Sequence, residues 1–242
     1  MGAVLVFISL LALLASAGAG EAPQTPADAR AQAAHERNVQ RHPDSAAAHF
    51  AYAEFLSDRG QLRAAIAYWR MADLLAPGNA AMANSLGGAY LWSGQAARSA
   101  KQFQRAVDRA SQVAAYHYNL GNVEFMLRRE LAVAWHLEPG DLLERALIQF
   151  RAASRLAPND LEYARGYAET FYGMPEPDWA EAAAAWKHVL ALSPSSDFAC
   201  LQLARVSLKM GDKMQARSFL DQVKDRRHDG LKQKLRTQAD QL

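Results

Sequence analysis

The feature that most constrains this chain is an internal period. Pro43 and Pro77 stand 34 residues apart, and so do Ala65 and Ser99, Trp69 and Phe103, Ala72 and Ala106, and Leu86-Gly87 and Leu120-Gly121. A chain that repeats at this interval folds as stacked copies of one small unit, none of which can bury its apolar face alone. The marks return at longer intervals: Ala146, Phe150 and Ala153 before Pro158, then Ala182, Trp186 and Val189 before Pro194, then Ala216, Leu220 and Val223. Offsets of four and three residues put each trio on one face of a helix. The proline that follows ends the helix and redirects the chain. Composition agrees, because alanine, the strongest helix former, makes up roughly a fifth of the residues.

Upstream of each trio lies a second helix, marked by a small residue after a large one: Tyr52-Ala53, Leu86-Gly87, Leu120-Gly121, Tyr167-Ala168 and Leu203-Ala204. The whole pattern resembles the tetratricopeptide repeat (TPR) family over roughly residues 27–225. Leu86-Gly87 with Tyr90 is the best match to the family's first helix, whereas after Leu120-Gly121 the aromatic position holds Glu124, with Phe125 beside it. The resemblance implies an all-α, right-handed superhelical solenoid of about five TPR helix pairs with capping helices. The small residue is needed where the second helix crosses the first at close range. Repeats are assigned to about 44–77, 78–111, 112–158, 159–194 and 195–225, within a solenoid covering 27–242. A lone helix over 27–41 caps the front, and an amphipathic helix over 230–242 supplies the polar end that such arrays need. Asp44, Asn79, Asn159 and Ser195 or Ser196 stand where helix N-caps belong.

The first 19 residues carry no charged side chain and end in small ones, Ala15-Ser16-Ala17-Gly18-Ala19. That is the pattern of a secretory signal, with cleavage expected after Ala17 or Ala19 and a linker over 20–26. No Lys or Arg precedes the apolar run, so retention as a membrane anchor stays open. The expected location is therefore outside the cytoplasm, periplasmic or secreted. One cysteine, Cys200, allows no intramolecular disulfide and leaves stability to packing.

A net charge of +2 without a basic block does not point to nucleic acid. No HExxH, CxxC, P-loop, GxGxxG or GxSxG motif occurs, and no carboxylate pair is spaced for acid–base work. No catalytic residue, cofactor or metal is assigned. Cys200 reads as a small buried apolar residue, and Glu54 and Glu169 as solvated charges on helix faces.

What remains is a surface. In the TPR family the first helices line a concave groove that holds a peptide or partner helix. By offset from each large-small pair, that groove takes Phe50, Asn84, Trp92, Tyr118, Asn119, Asn122, Phe125, Arg165 and Tyr172. Asn84, Tyr118, Asn119 and Asn122 form its most specific part, since asparagine amides can hold the main chain of an extended peptide. The alternative is that these are solvated positions and inter-repeat core. The two-Lys, two-Asn, one-Arg carboxylate clamp of heat-shock co-chaperones is absent at the matching offsets. The resulting expectation is a non-catalytic scaffold or assembly factor of the cell envelope, binding another protein or peptide; a glycan-binding or cell-wall-fragment module using the same aromatics is the alternative.

The third repeat carries extra residues between its helices, 128–140. No Gly or Pro interrupts Arg128 to Leu137, so the first helix is expected to run on about three turns, projecting roughly 15 Å. Asp141 stands where the next N-cap belongs. Leu131, Val133, Trp135 and Leu137 make that extension apolar; it either folds back on the array or docks a partner through Trp135.

Overall fold

The computed structural model describes residues 25–241. The expected secretory segment, most of the linker and Leu242 lie outside the described residues. Within them the chain forms thirteen α-helices and two short 3-10 turns, with no strand. The helices are α1 (Pro26–Arg41), α2 (Ala46–Asp58), α3 (Leu62–Leu75), α4 (Ala80–Trp92), α5 (Ala96–Arg109), α6 (Ala114–Met126) and α7 (Arg128–Trp135). There follow α8 (Pro139–Leu156), α9 (Leu161–Thr170), α10 (Trp179–Leu192), α11 (Asp197–Lys209), α12 (Lys213–Gln222) and α13 (Asp229–Asp240). Five antiparallel pairs, α2/α3, α4/α5, α6/α8, α9/α10 and α11/α12, stack in chain order, with α1 and α13 at the two ends. The fold is an all-α solenoid.

Each pair closes around the small-large contact. Trp69, Phe103, Phe150, Trp186 and Leu220 on the second helices are at most 3% exposed. Opposite them, Ala53, Ala168 and Ala204 are fully buried. Gly87 and Gly121 have no room for more: a methyl at Gly87 would lie 2.7 Å from Cδ1 of Phe103, and one at Gly121 would lie 3.1 Å from Cδ1 of Phe150. In the first, second and fifth pairs the chain turns through Gly60, Gly94 and Gly211, at φ 71°, 71° and 74°, where a side chain would be strained. The third pair has Arg128 where the period would put that glycine, and there the insertion begins.

Side-chain caps hold several of the helix starts. Thr25 and Asp28 form a reciprocal capping box at α1. The N-caps of α2, α9 and α11 are Ser45, Asp160 and Ser196, so the caps of α2 and α9 lie one residue beyond the expected Asp44 and Asn159, while Asn79 caps α4. Asp141 is not an N-cap either. The N-cap of α8 is Glu138, and Asp141 reaches back to its backbone N–H from the third helical position.

The insertion does not continue α6 as a projecting rod. The helix breaks at Leu127, at φ −104° and ψ 24°, and α7 turns back over α5 and α8. Burial is the reason: Leu131 and Ala132 join Ala100, Phe103, Leu120 and Leu142 in one core cluster, with Trp135 and Leu137 packed at its margin. Removing those apolar side chains from water outweighs the lost continuity of a short helix. Trp135 is half-buried, and the Arg145 guanidinium lies 5.2 Å from its ring centroid. It is no free-standing anchor. Val133, 79% exposed, faces away, as does Ala134 beside it.

Candidate peptide-binding face

The first helices α2, α4, α6 and α9 carry the candidate side chains, with Tyr172 in the 3-10 turn that follows α9, and some meet across a repeat boundary. Asn119 on α6 donates to the side-chain oxygen of Asn84 on α4 at 2.8 Å. An amide has two donors and two lone pairs, so this pair keeps unused capacity for a ligand. Asn122 lies one turn along α6 from Tyr118 and is half-buried. The Tyr118 hydroxyl donates to Glu162 on α9 at 2.8 Å. Burial and that acceptor push the Tyr118 phenol above its ordinary range.

Tyr118 is built into the stack. Its ring lies 4.7 Å from that of Tyr163 and 5.6 Å from that of Phe150, and its Cε2 sits 3.1 Å from where a methyl on Gly166 would be. Phe125 meets Phe150 edge-on at 6.3 Å and carries Arg128 over its face. Arg165 is tied to Glu169 at 2.7 Å and lies 5.0 Å from the Phe198 ring centroid. Tyr172 is 39% exposed; its ring packs beside Trp179 and Trp186, and its hydroxyl donates to the backbone oxygen of Gln202 at 3.2 Å. Phe50 is half-buried against the core between α1, α2 and α3, and Trp92 is half-buried at the end of α4. The structure thus joins Asn84 and Asn119 across α4 and α6, with Tyr118 and Asn122 beside them on α6. Phe50, Arg165 and Tyr172 lie on other repeats.

Sequence reasoning missed several polar contacts. Glu54 is half-buried rather than free on its helix face: it accepts the indole N–H of Trp69 at 2.9 Å, capping the first core. Glu169 likewise has Arg165 as partner. Glu124, in the aromatic position of the third repeat, is completely buried and paired with Arg145 at 2.7 Å. Burial raises its carboxyl pKa, and Arg145 acts against that shift. His49 and His117, at the same place in their repeats, each hold a carbonyl six residues back, that of Pro43 at 2.8 Å and that of Ser111 at 3.0 Å. They brace the turn between repeats, and their separation by two 34-residue periods is the sequence signal for that shared role. Cys200 is 3% exposed, and burial raises its thiol pKa. Among the described residues, no cluster of three or more His, Cys, Asp or Glu could hold a metal ion, and no helix is long and apolar enough to cross a membrane.

Residues 176–238 match the family model of the tetratricopeptide repeat. The chain has the tetratricopeptide repeat fold. Among solved structures it is similar to YrrB, described as a TPR protein with an unusual peptide-binding site, at 19% identity and a TM-score of 0.67, over 86% of this chain and 98% of that one. It is also similar to PilF of Pseudomonas aeruginosa, at 20% identity and 0.58, over 86% and 87%. MamA aligns at 15% identity and 0.60, over 74% and 89%. No curated protein matches the sequence.

Proposed function

We propose that this chain is a non-catalytic scaffold or assembly factor of the cell envelope that holds a partner peptide or helix along its row of first helices. The observation that carries the binding reading is the amide pair Asn84–Asn119, with Asn122 and Tyr118 beside it. These are partly exposed hydrogen-bonding groups on rigid helices, aligned across two repeats, able to take a main chain without reading its sequence. The solved TPR neighbour described by its peptide-binding site supports the same reading. The envelope assignment rests on the apolar, small-residue-terminated N-terminal segment. The glycan alternative is weaker here, because Tyr118 and Phe125 spend ring faces and edges on Phe150 and Tyr163.

The test is affinity capture from an envelope extract with the wild type and an Asn84→Ala/Asn122→Ala variant in parallel. The variant is expected to lose the partner while keeping its helical signal and melting temperature. Equal capture by the two proteins would remove the central helix row as the site. Tyr118→Ala is the poorer probe, since its ring is part of the stack and its loss will lower stability as well as binding.

A further inference from the structure

The far end of the same row holds a second feature that the offsets did not reveal. A cavity of about 400 Å³ opens between α11 and the capping helix α13, with Tyr172 at its edge. Its floor is apolar: Leu208 from α11, with Leu231 and Leu235 from α13. Its rims are basic, Arg205 and Lys209 on one side and Lys234 on the other, and no acidic residue lines it. Spacings of three and four residues on both helices set these side chains on facing stripes.

The three cations are uncompensated. None of them forms an ion pair among the described residues. Arg205 makes one long hydrogen bond to Gln202 at 3.4 Å, and Lys209 lies 6.0 Å from the Trp179 ring centroid. Acids nearby are already engaged: Glu169 by Arg165, Asp221 by Arg236 and Asp240 by Arg217. All three cations are exposed, and they converge on an apolar concavity, where field lines concentrate and a bound carboxylate is partly shielded from water.

We infer that this trough takes an acidic amphipathic segment of a partner protein, with a large apolar side chain on Leu208, Leu231 and Leu235 and flanking Asp or Glu side chains on Arg205, Lys209 and Lys234. This rests on the scaffold reading and adds the chemistry of the partner. It also gives α13 a recognition role besides capping.

The probe is a short fluorescein-labelled peptide of Glu with Leu and Phe at helical spacing, measured by anisotropy against the full chain. The control peptide has Gln for every Glu. The Glu peptide is expected to bind at least roughly tenfold tighter than the Gln peptide, and to weaken steeply as salt rises through roughly 0.05–0.5 M. Lys209→Glu/Lys234→Glu, on exposed side chains, should cost a further roughly tenfold or more with the melting temperature unchanged. Equal affinity for the two peptides, or salt-independent binding by the wild type, overturns the inference without any variant. So does unchanged binding of the Glu peptide by a folded charge-reversed protein. The Asn84→Ala/Asn122→Ala variant separates the two readings: if it loses its captured partner while the charge-reversed protein keeps it, the central row stands and the trough falls.

Discussion

Adjacent glycines in α4 should respond to the same substitution with opposite signs. Gly87 and Gly88 share a helix, a sequence neighbourhood and an unfolded state. At Gly88 an added methyl meets nothing within 4 Å, whereas at Gly87 it would stand 2.7 Å from Cδ1 and 2.9 Å from Cε1 of Phe103. Gly→Ala within a helix is worth about 0.5–1 kcal/mol, through helix propensity and a less disordered unfolded chain. Gly88→Ala should therefore stabilise by about that amount. At Gly87 the same gain is opposed by overpacking of about 1–3 kcal/mol, because Phe103 is 3% exposed and cannot swing clear without disturbing Ala100, Leu120 and Leu142. The two variants should differ by the overpacking cost alone, about 1–3 kcal/mol, since the propensity and unfolded-state effects cancel. Urea titration followed by far-UV circular dichroism, with both proteins fitted to a shared slope, measures that difference. A Gly87→Ala protein as stable as the Gly88→Ala protein would show that the first and second helices do not approach closely there, and the repeat register would fall with it.

Three further outcomes follow from the packing and charge placement. Trp186→Ala, at a fully buried ring, should cost about 3–5 kcal/mol in the same titration, and a cost under about 1 kcal/mol would contradict the core described for the fourth pair. Arg145→Ala should destabilise by about 1–3 kcal/mol by leaving the buried Glu124 carboxylate without its charge partner, and Glu124→Gln in that background should recover part of the loss; no recovery would mean that the cost came from the contact of Arg145 with Trp135. Asp28, hydrogen-bonded by Thr25 and paired with Arg59, has its carboxyl pKa lowered to about 2. A lowered pKa contributes stability above the unfolded value of about 4 and loses it as pH falls through about 2, so amide protection in α1 should drop over that window in the wild type. Asp28→Asn should show less of that drop, and an unchanged profile would remove Asp28 as the cause.

The sequence by itself determined the repeating unit. The spacing of Ala, then an aromatic four residues on, then Ala or Val three further, and the small residues opposite it are local, periodic and sterically demanding, so they alone put Trp69, Phe103, Phe150 and Trp186 in the core. The candidate groove offsets give positions along the first helices in the same way, except Tyr172, which falls in the 3-10 turn after α9. They do not give the partners: whether Asn119 meets Asn84, or Tyr118 meets Glu162, depends on how far one repeat rotates against the next, which no period encodes. Helix starts slipped by one residue at Ser45 and Asp160 because adjacent residues cap equally well in isolation, and only the packed geometry chooses between them. The break at Leu127 was invisible for the same kind of reason. Nothing in Arg128 to Leu137 forbids a continuous helix, and α7 turns back because Leu131 and Ala132 can then be buried against α5 and α8. Glu124 is the clearest case. Its position is written for an aromatic, and only a guanidinium brought 21 residues along the chain, from Arg145, makes a buried carboxylate tolerable there. Local spacing fixes which face of a helix is apolar, but pairing between helices is a sum of burial and charge terms that exists only once the stack has formed.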